Sequence, residues 1–158
     1  SDVYKRQLKR VIASIIFFFY SSNVFGDFVF PSKTLKPQDV LKIQLEALKN
    51  NDIPRNDFGV EQTWIFAHPN NKKVTGPFPK FRIMLYSESY RILIGHFSHE
   101  FKLITSFPNK YVYGVKIMTP EKKLFLYEWH LEKGKEKNCN ECWFTSVVSN
   151  PIDQGNSI

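Results

Sequence analysis

With 158 residues, 42% of them apolar and 16% aromatic, the chain is long enough for one domain with its own core and too hydrophobic for an intrinsically disordered segment. Its formal charge is +7, of which residues 1–26 contribute +3 and the remainder +4. The basic residues of that remainder are scattered, with Lys72, Lys73, Lys122, Lys123, Lys133, Lys135 and Lys137 at apparent turns. No clustered stripe of Lys and Arg marks a nucleic-acid groove, so no nucleic acid is expected as a partner.

Residues 5–26 read as a secretory signal: a basic KRQLKR, an apolar VIASIIFFFY at residues 11–20, then the small and polar SSNVFG, with cleavage expected after Gly26. The apolar run is about ten residues, roughly half of the ~20 that span a bilayer, so membrane contact is expected through this segment alone. The absence of a Cys after it argues against a lipoprotein. A buried N-terminal helix is the alternative, which an all-round apolar run behind a basic leader fits less well. Residues 1–7 resemble a read-end artefact of sequence assembly.

A linker, residues 27–36, leads into residues 37–50, where Val40, Leu41, Gln44, Leu45 and Leu48 recur at helical spacing and Pro37 suits the first turn. A second helix is expected from Asp57, whose carboxylate can cap it, to Ala67 and His68, where Pro69 stops it. Residues 70–77 read as a turn-rich loop, and residues 78–86 as a short third helix presenting Phe81, Met84 and Leu85. From Tyr90 the period changes to two, giving strands at 90–94, 99–107, 111–118, 123–133 and 142–149. Short connections at 108–110 and 119–122 make neighbouring strands antiparallel. In the fourth of these strands Phe125, Tyr127, Trp129 and Leu131 share one face, and Leu124, Leu126, Glu128 and His130 the other. The fold class is α+β, with a domain over residues 37–151 and a flexible tail at 152–158.

Four strings carry a more specific reading: QLEALKNND in the first helix, FAHPNN followed by TGP, FRIML before Tyr90, and WFTSVV near the end. Together they resemble an uncharacterised family of the nuclear transport factor 2-like superfamily, over roughly residues 37–151. The resemblance implies a cone-like fold, also described as cystatin-like, in which N-terminal helices pack on a strongly curved antiparallel sheet. It also implies a ligand pocket at the open end of the cone and a homodimer formed through the sheet face. With the signal segment, it places the protein in the periplasm or the medium, or in the lumen of a photosynthetic organism. Trp143-Phe144-Thr145-Ser146 looks like the family's Trp-Met-Thr-Asp with two substitutions, and the missing Asp removes one candidate acid.

Two functions compete. The first is a non-catalytic binding or interaction module for a small apolar ligand, with Trp64, Phe81, Tyr86, Tyr90, Tyr113, Trp129 and Trp143 as pocket candidates. The second is a ketosteroid-isomerase or SnoaL-like enzyme with Glu128 and His130 as catalytic candidates and a Tyr donor. Against it, Glu128 beside Lys116 on the next strand reads as an ordinary surface ion pair. Cys139 and Cys142 form the one C-x-x-C, most simply a disulfide in an oxidising compartment, with redox, metal and free-thiol readings behind it. His96 and His99, three apart on a strand, would face opposite sides and hold no shared metal. Gly-rich phosphate loops and zinc motifs are absent, so no cofactor and no metal are expected.

Overall fold

The structure is a computed structural model that describes residues 26–157. The signal segment, apart from Gly26, lies outside the described residues. Among those described, no helix is long and apolar enough to cross a membrane.

Helix α1, Pro37–Lys49, starts where expected: Pro37 occupies the first turn and the Asp39 carboxylate accepts from the Lys36 amide at 2.9 Å. Its buried stripe is the one its spacing dictates, Val40, Leu41, Gln44, Leu45 and Leu48. Helix α2, Phe58–Ile65, follows Asp57, but Asp57 does not cap it. Its backbone sits in the left-handed region at φ 58°, and its carboxylate turns to Arg82, Tyr86 and Asn51. Asn51 caps in its place, its carbonyl accepting from Gly59 N at 2.9 Å and its Oδ1 from Val60 N at 3.0 Å.

Helix α2 stops at Ile65, earlier than the proline alone would require, because residues 66–68 extend onto the sheet. Thr145 N donates to the Phe66 carbonyl and His68 N to the Thr145 carbonyl, both at 2.8 Å, forming a parallel bridge between Ala67 and Thr145. The expected loop at 70–77 is instead helix α3, Pro69–Thr75. His68 Nδ1 caps it by accepting from Asn70 N, and Gly76 ends it at φ 79°. Its sequence has no apolar face, so no hydrophobic period announces it. Helix α4, Phe78–Leu85, buries Phe81 and Leu85.

The strand expected at 90–94 is instead a 3-10 turn, Arg91–Leu93, after which Gly95 at φ 68° redirects the chain. A continuous apolar run such as Ile92, Leu93, Ile94 carries no alternation that separates strand from turn. Five strands follow: β1 Ser98–Phe107, β2 Lys110–Met118, β3 Lys123–Glu136, β4 Cys139–Val148 and β5 Ile152–Asn156. All pair antiparallel in the order β1-β2-β3-β4, with β5 on β3. At 14 residues β3 is long enough to serve two partners along one edge: Lys123 to Leu126 pair β5, and Trp129 to Glu136 pair β4. The tail expected to be flexible therefore holds a sheet strand.

The core is where the alternation puts it. Tyr113, Val115 and Ile117 of β2 and Tyr127, Trp129 and Leu131 of β3 are buried with Val40, Leu41, Leu45 and Leu48 of α1. Each such side chain contributes about 1.5–3 kcal/mol on burial. The linker is docked as well: Phe28 stacks on Phe58 with ring centroids 4.4 Å apart, and Val29 trades both backbone bonds with the Gln62 amide.

Gly59 lies where the first two helices come backbone to backbone. A methyl group on Gly59 would sit 2.1 Å from the Ala47 carbonyl oxygen and 2.9 Å from Asn51 Cα. Backbone cannot yield as a side chain does, so Gly59→Ala is expected to cost about 3 kcal/mol, read by urea denaturation. An unchanged midpoint would mean that α1 and α2 can move apart freely.

Candidate functional site: an apolar cavity over a closed polar node

Between the helices and the inner face of the sheet lies a cavity of about 200 Å³. Its walls come from α1 (Gln44, Leu48), α2 (Thr63), α4 (Phe81, Met84, Leu85), the 3-10 region (Tyr90, Leu93) and the sheet (Trp129, Thr145, Val148). The Ala67 bridge to β4, helix α3 through Asn71 and Thr75, and Ser146 and Val147 of β4 complete the lining.

The polar residues in this wall are largely committed to one another. Gln44, fully buried, donates from Nε2 to the Thr63 carbonyl at 3.2 Å. Its Oε1 accepts from the Thr145 hydroxyl, whose oxygen in turn accepts from Trp129 Nε1 at 2.9 Å. The Thr63 hydroxyl donates to the Gly59 carbonyl at 2.9 Å, and the Tyr90 hydroxyl to the Val148 carbonyl at 3.1 Å. A network whose donors and acceptors already have partners asks nothing of a guest beyond shape and apolar surface. No carboxylate, histidine, lysine or arginine lines the cavity among the described residues.

Of the seven aromatic candidates, Phe81, Tyr90 and Trp129 reach this cavity. The other four are placed elsewhere. Trp64 packs on Phe81 at 5.0 Å and faces a separate outer groove, where Lys72 lies over its ring at 5.4 Å. The Tyr86 hydroxyl donates to Asp57. Tyr113 is buried between Phe101 and Tyr111, and Trp143 packs edge-on against Tyr111 under Lys133. Period-two reasoning finds a buried face but not which part of it a cavity undercuts.

Glu128 and His130 bond to each other through Glu128 Oε1 and His130 Nε2, on the face of β3 opposite Tyr127, Trp129 and Leu131. No Tyr hydroxyl joins them, and the Glu128 side chain is 52% exposed. The expected pair with Lys116 does not form. Register puts Glu128 across from Gly114 and Lys116 across from Leu126, and Lys116 Nζ lies 4.0 Å from Glu100 instead. Cys139 and Cys142 are joined at the start of β4, their Cα atoms 5.8 Å apart. His96 and His99 meet, contrary to the opposite-face reading, because His96 precedes β1 and its alternation: His96 Nε2 lies 2.7 Å from His99 Nδ1. Among the described residues no group of three or more His, Cys, Asp or Glu is arranged to hold a metal ion.

Two residues that organise the cavity, Gln44 and Thr145, are not among the site residues that the sequence suggests. The signal was present for Gln44, a polar residue inside the apolar stripe of α1. Asp57, in place of the expected cap, is a clamp on Arg82, Tyr86 and Asn51. Burial alone would raise its carboxyl, but hydrogen bonds from Tyr86, Arg82 and Asn51 outweigh that and hold it below the ordinary value.

Thr145→Val removes the hydroxyl that joins Gln44 to Trp129 and leaves two buried polar groups unpaired. The expected loss is about 3 kcal/mol in urea denaturation, against about 1 kcal/mol for Thr145→Ser, which keeps the hydroxyl. Equal losses from the two variants would deny the node its role. Comparison of the chain with protein-family models, with curated protein sequences and with solved structures finds no match.

Proposed function

We propose that this protein is a non-catalytic binding module whose cavity takes a small, neutral, apolar ligand. The observation that carries the reading is the cavity wall itself: apolar side chains over a polar node whose groups are committed to one another. A volume of about 200 Å³ lies below the ~300–1,000 Å³ of drug-sized pockets, which favours a compact guest. Proton transfer gains no support there, since the acid and the imidazole that an isomerase-like reaction would use lie on the other face of β3. The α+β order of helices before an antiparallel sheet is compatible with the cone of the nuclear transport factor 2-like superfamily, which the sequence strings resemble.

The outer sheet face supplies the second half of the proposal, self-association of two copies. Ile104 and Ile152 are about 60% exposed there and, with Leu126, border a shallow depression over Gly114, which has no side chain to fill it. The joined Cys139 and Cys142 are in keeping with export to an oxidising compartment, the reading of the leader.

Native mass spectrometry of protein purified from its own compartment tests both halves. The expected result is a dimer mass with a co-purifying small apolar molecule. An apo monomer would overturn the reading. Met84→Trp, which puts a bulkier ring into the cavity wall, is expected to lower the amount of bound molecule about tenfold, or 1.4 kcal/mol, while leaving the dimer mass in place.

A further inference from the structure

A chain of four groups runs across the seam between α1, the 3-10 turn and β1. The Leu93 carbonyl lies 2.7 Å from His96 Nδ1, His96 Nε2 lies 2.7 Å from His99 Nδ1, and His99 Nε2 lies 3.4 Å from Glu46 Oε1. Elementary hydrogen bonding fixes the protons. A carbonyl only accepts, so His96 Nδ1 carries a hydrogen; in the neutral ring Nε2 is then an acceptor, and His99 must donate from Nδ1. That leaves the neutral His99 with a bare Nε2 pointed at a carboxylate, two acceptors face to face. One added proton at His99 Nε2 gives every link of the chain a donor and an acceptor. A second would put a hydrogen on both nitrogens that face each other, and the His96–His99 bond could not survive it.

We infer that His96, His99 and Glu46 form a proton-binding latch, closed with zero or one added proton and opened by the second, that holds the 3-10 turn to β1 and α1. Its place gives it leverage: Leu93, whose carbonyl anchors the chain, and Leu48, whose carbonyl accepts from Gly95 N at 2.9 Å, both line the cavity. The charged groups acting on the pair are Glu46 and Lys49, both from α1. Across the strand His99 meets Ile117, which carries no charge. The latch needs no ligand to operate, so it stands or falls separately from the binding reading.

The direction of its response follows from burial. Desolvation pushes His96 down to about 4 and also lowers His99, where the attraction of Glu46 only partly offsets it. Both groups are depressed below their unfolded value of about 6.5, so the open or unfolded chain binds more protons than the closed one as the pH falls. The closed form is fully favoured above about pH 6.5 and loses ground toward pH 4, with the opening equilibrium rising roughly tenfold per pH unit for each proton that the closed form refuses.

Hydrogen exchange of the Gly95 amide, corrected for its intrinsic rate at each pH, tests this on the full chain, with the Val115 amide in the sheet core as the global reference. Between pH 6 and pH 4 the expected result is acceleration of Gly95 by about tenfold or more, without an equal change at Val115. His99→Asn keeps a donor at the Nδ1 position, does not titrate, and can turn its carbonyl oxygen toward a protonated His96, so it should reduce the acceleration to the part that burial of His96 alone supplies. Glu46→Gln, at an exposed position, removes the partner of the first proton and should move the opening upward by a few tenths of a pH unit. Equal exchange at pH 4 and 6 in the parent chain would overturn the latch. So would acceleration in His99→Asn matching the parent, or a downward shift in Glu46→Gln.

Discussion

The constraint on which the interior depends is a single buried amide. Gln44 occupies a position in the apolar stripe of α1 where no water reaches it, and an unpaired amide there would cost several kcal/mol. The fold satisfies it from two directions, with the Thr63 carbonyl on α2 and the Thr145 hydroxyl on β4, and Thr145 carries the connection on to Trp129 in β3. One polar side chain thereby fixes how the first helix, the second helix and two strands sit relative to one another. Apolar surfaces alone would allow them to slide, because burial is non-directional whereas hydrogen bonds have geometry.

Thr145 holds two positions in this arrangement. Its side chain closes the polar node inside the sheet, while its backbone pairs with residues 66–68 as a parallel bridge at the edge of β4. That bridge ends α2, and His68 goes on to cap α3 with one ring nitrogen while the other approaches the Lys133 carbonyl at 3.3 Å. The cavity is the space left over when the helices are pinned this way against β3 and β4. The Gln44, Thr63, Tyr90 and Thr145 side chains near it are already used in holding the elements together.

Charge is kept out of this interior and placed at the seams. Asp57 ties the connection between α1 and α2 to α4 through Arg82 and Tyr86. The His96–His99–Glu46 chain ties the start of β1 to α1. Both lie where two elements meet and neither joins the cavity. The cavity wall is thus neutral, and the charged contacts lie at the seams between the elements that form it.

Much of the layout is legible in the sequence. Helical spacing gives α1 and its buried residues, period two gives β2 and β3 and the two faces of β3, and Cys139 with Cys142 gives the one cross-link. These features are local, since a 3.6 or 2.0 repeat follows from the geometry of one segment. Helix α3 is not legible because a short polar helix has no apolar period, and β5 because a five-residue exposed strand gains its order from a partner 33 positions earlier, Lys123 against Asn156. The meeting of His96 with His99, the choice of Asn51 over Asp57 as the cap, and the partition of the aromatics between cavity and core were decided by tertiary structure alone. Each depends on a turn, a register or a packing distance between segments far apart in the chain, and no repeat within one segment encodes such a distance.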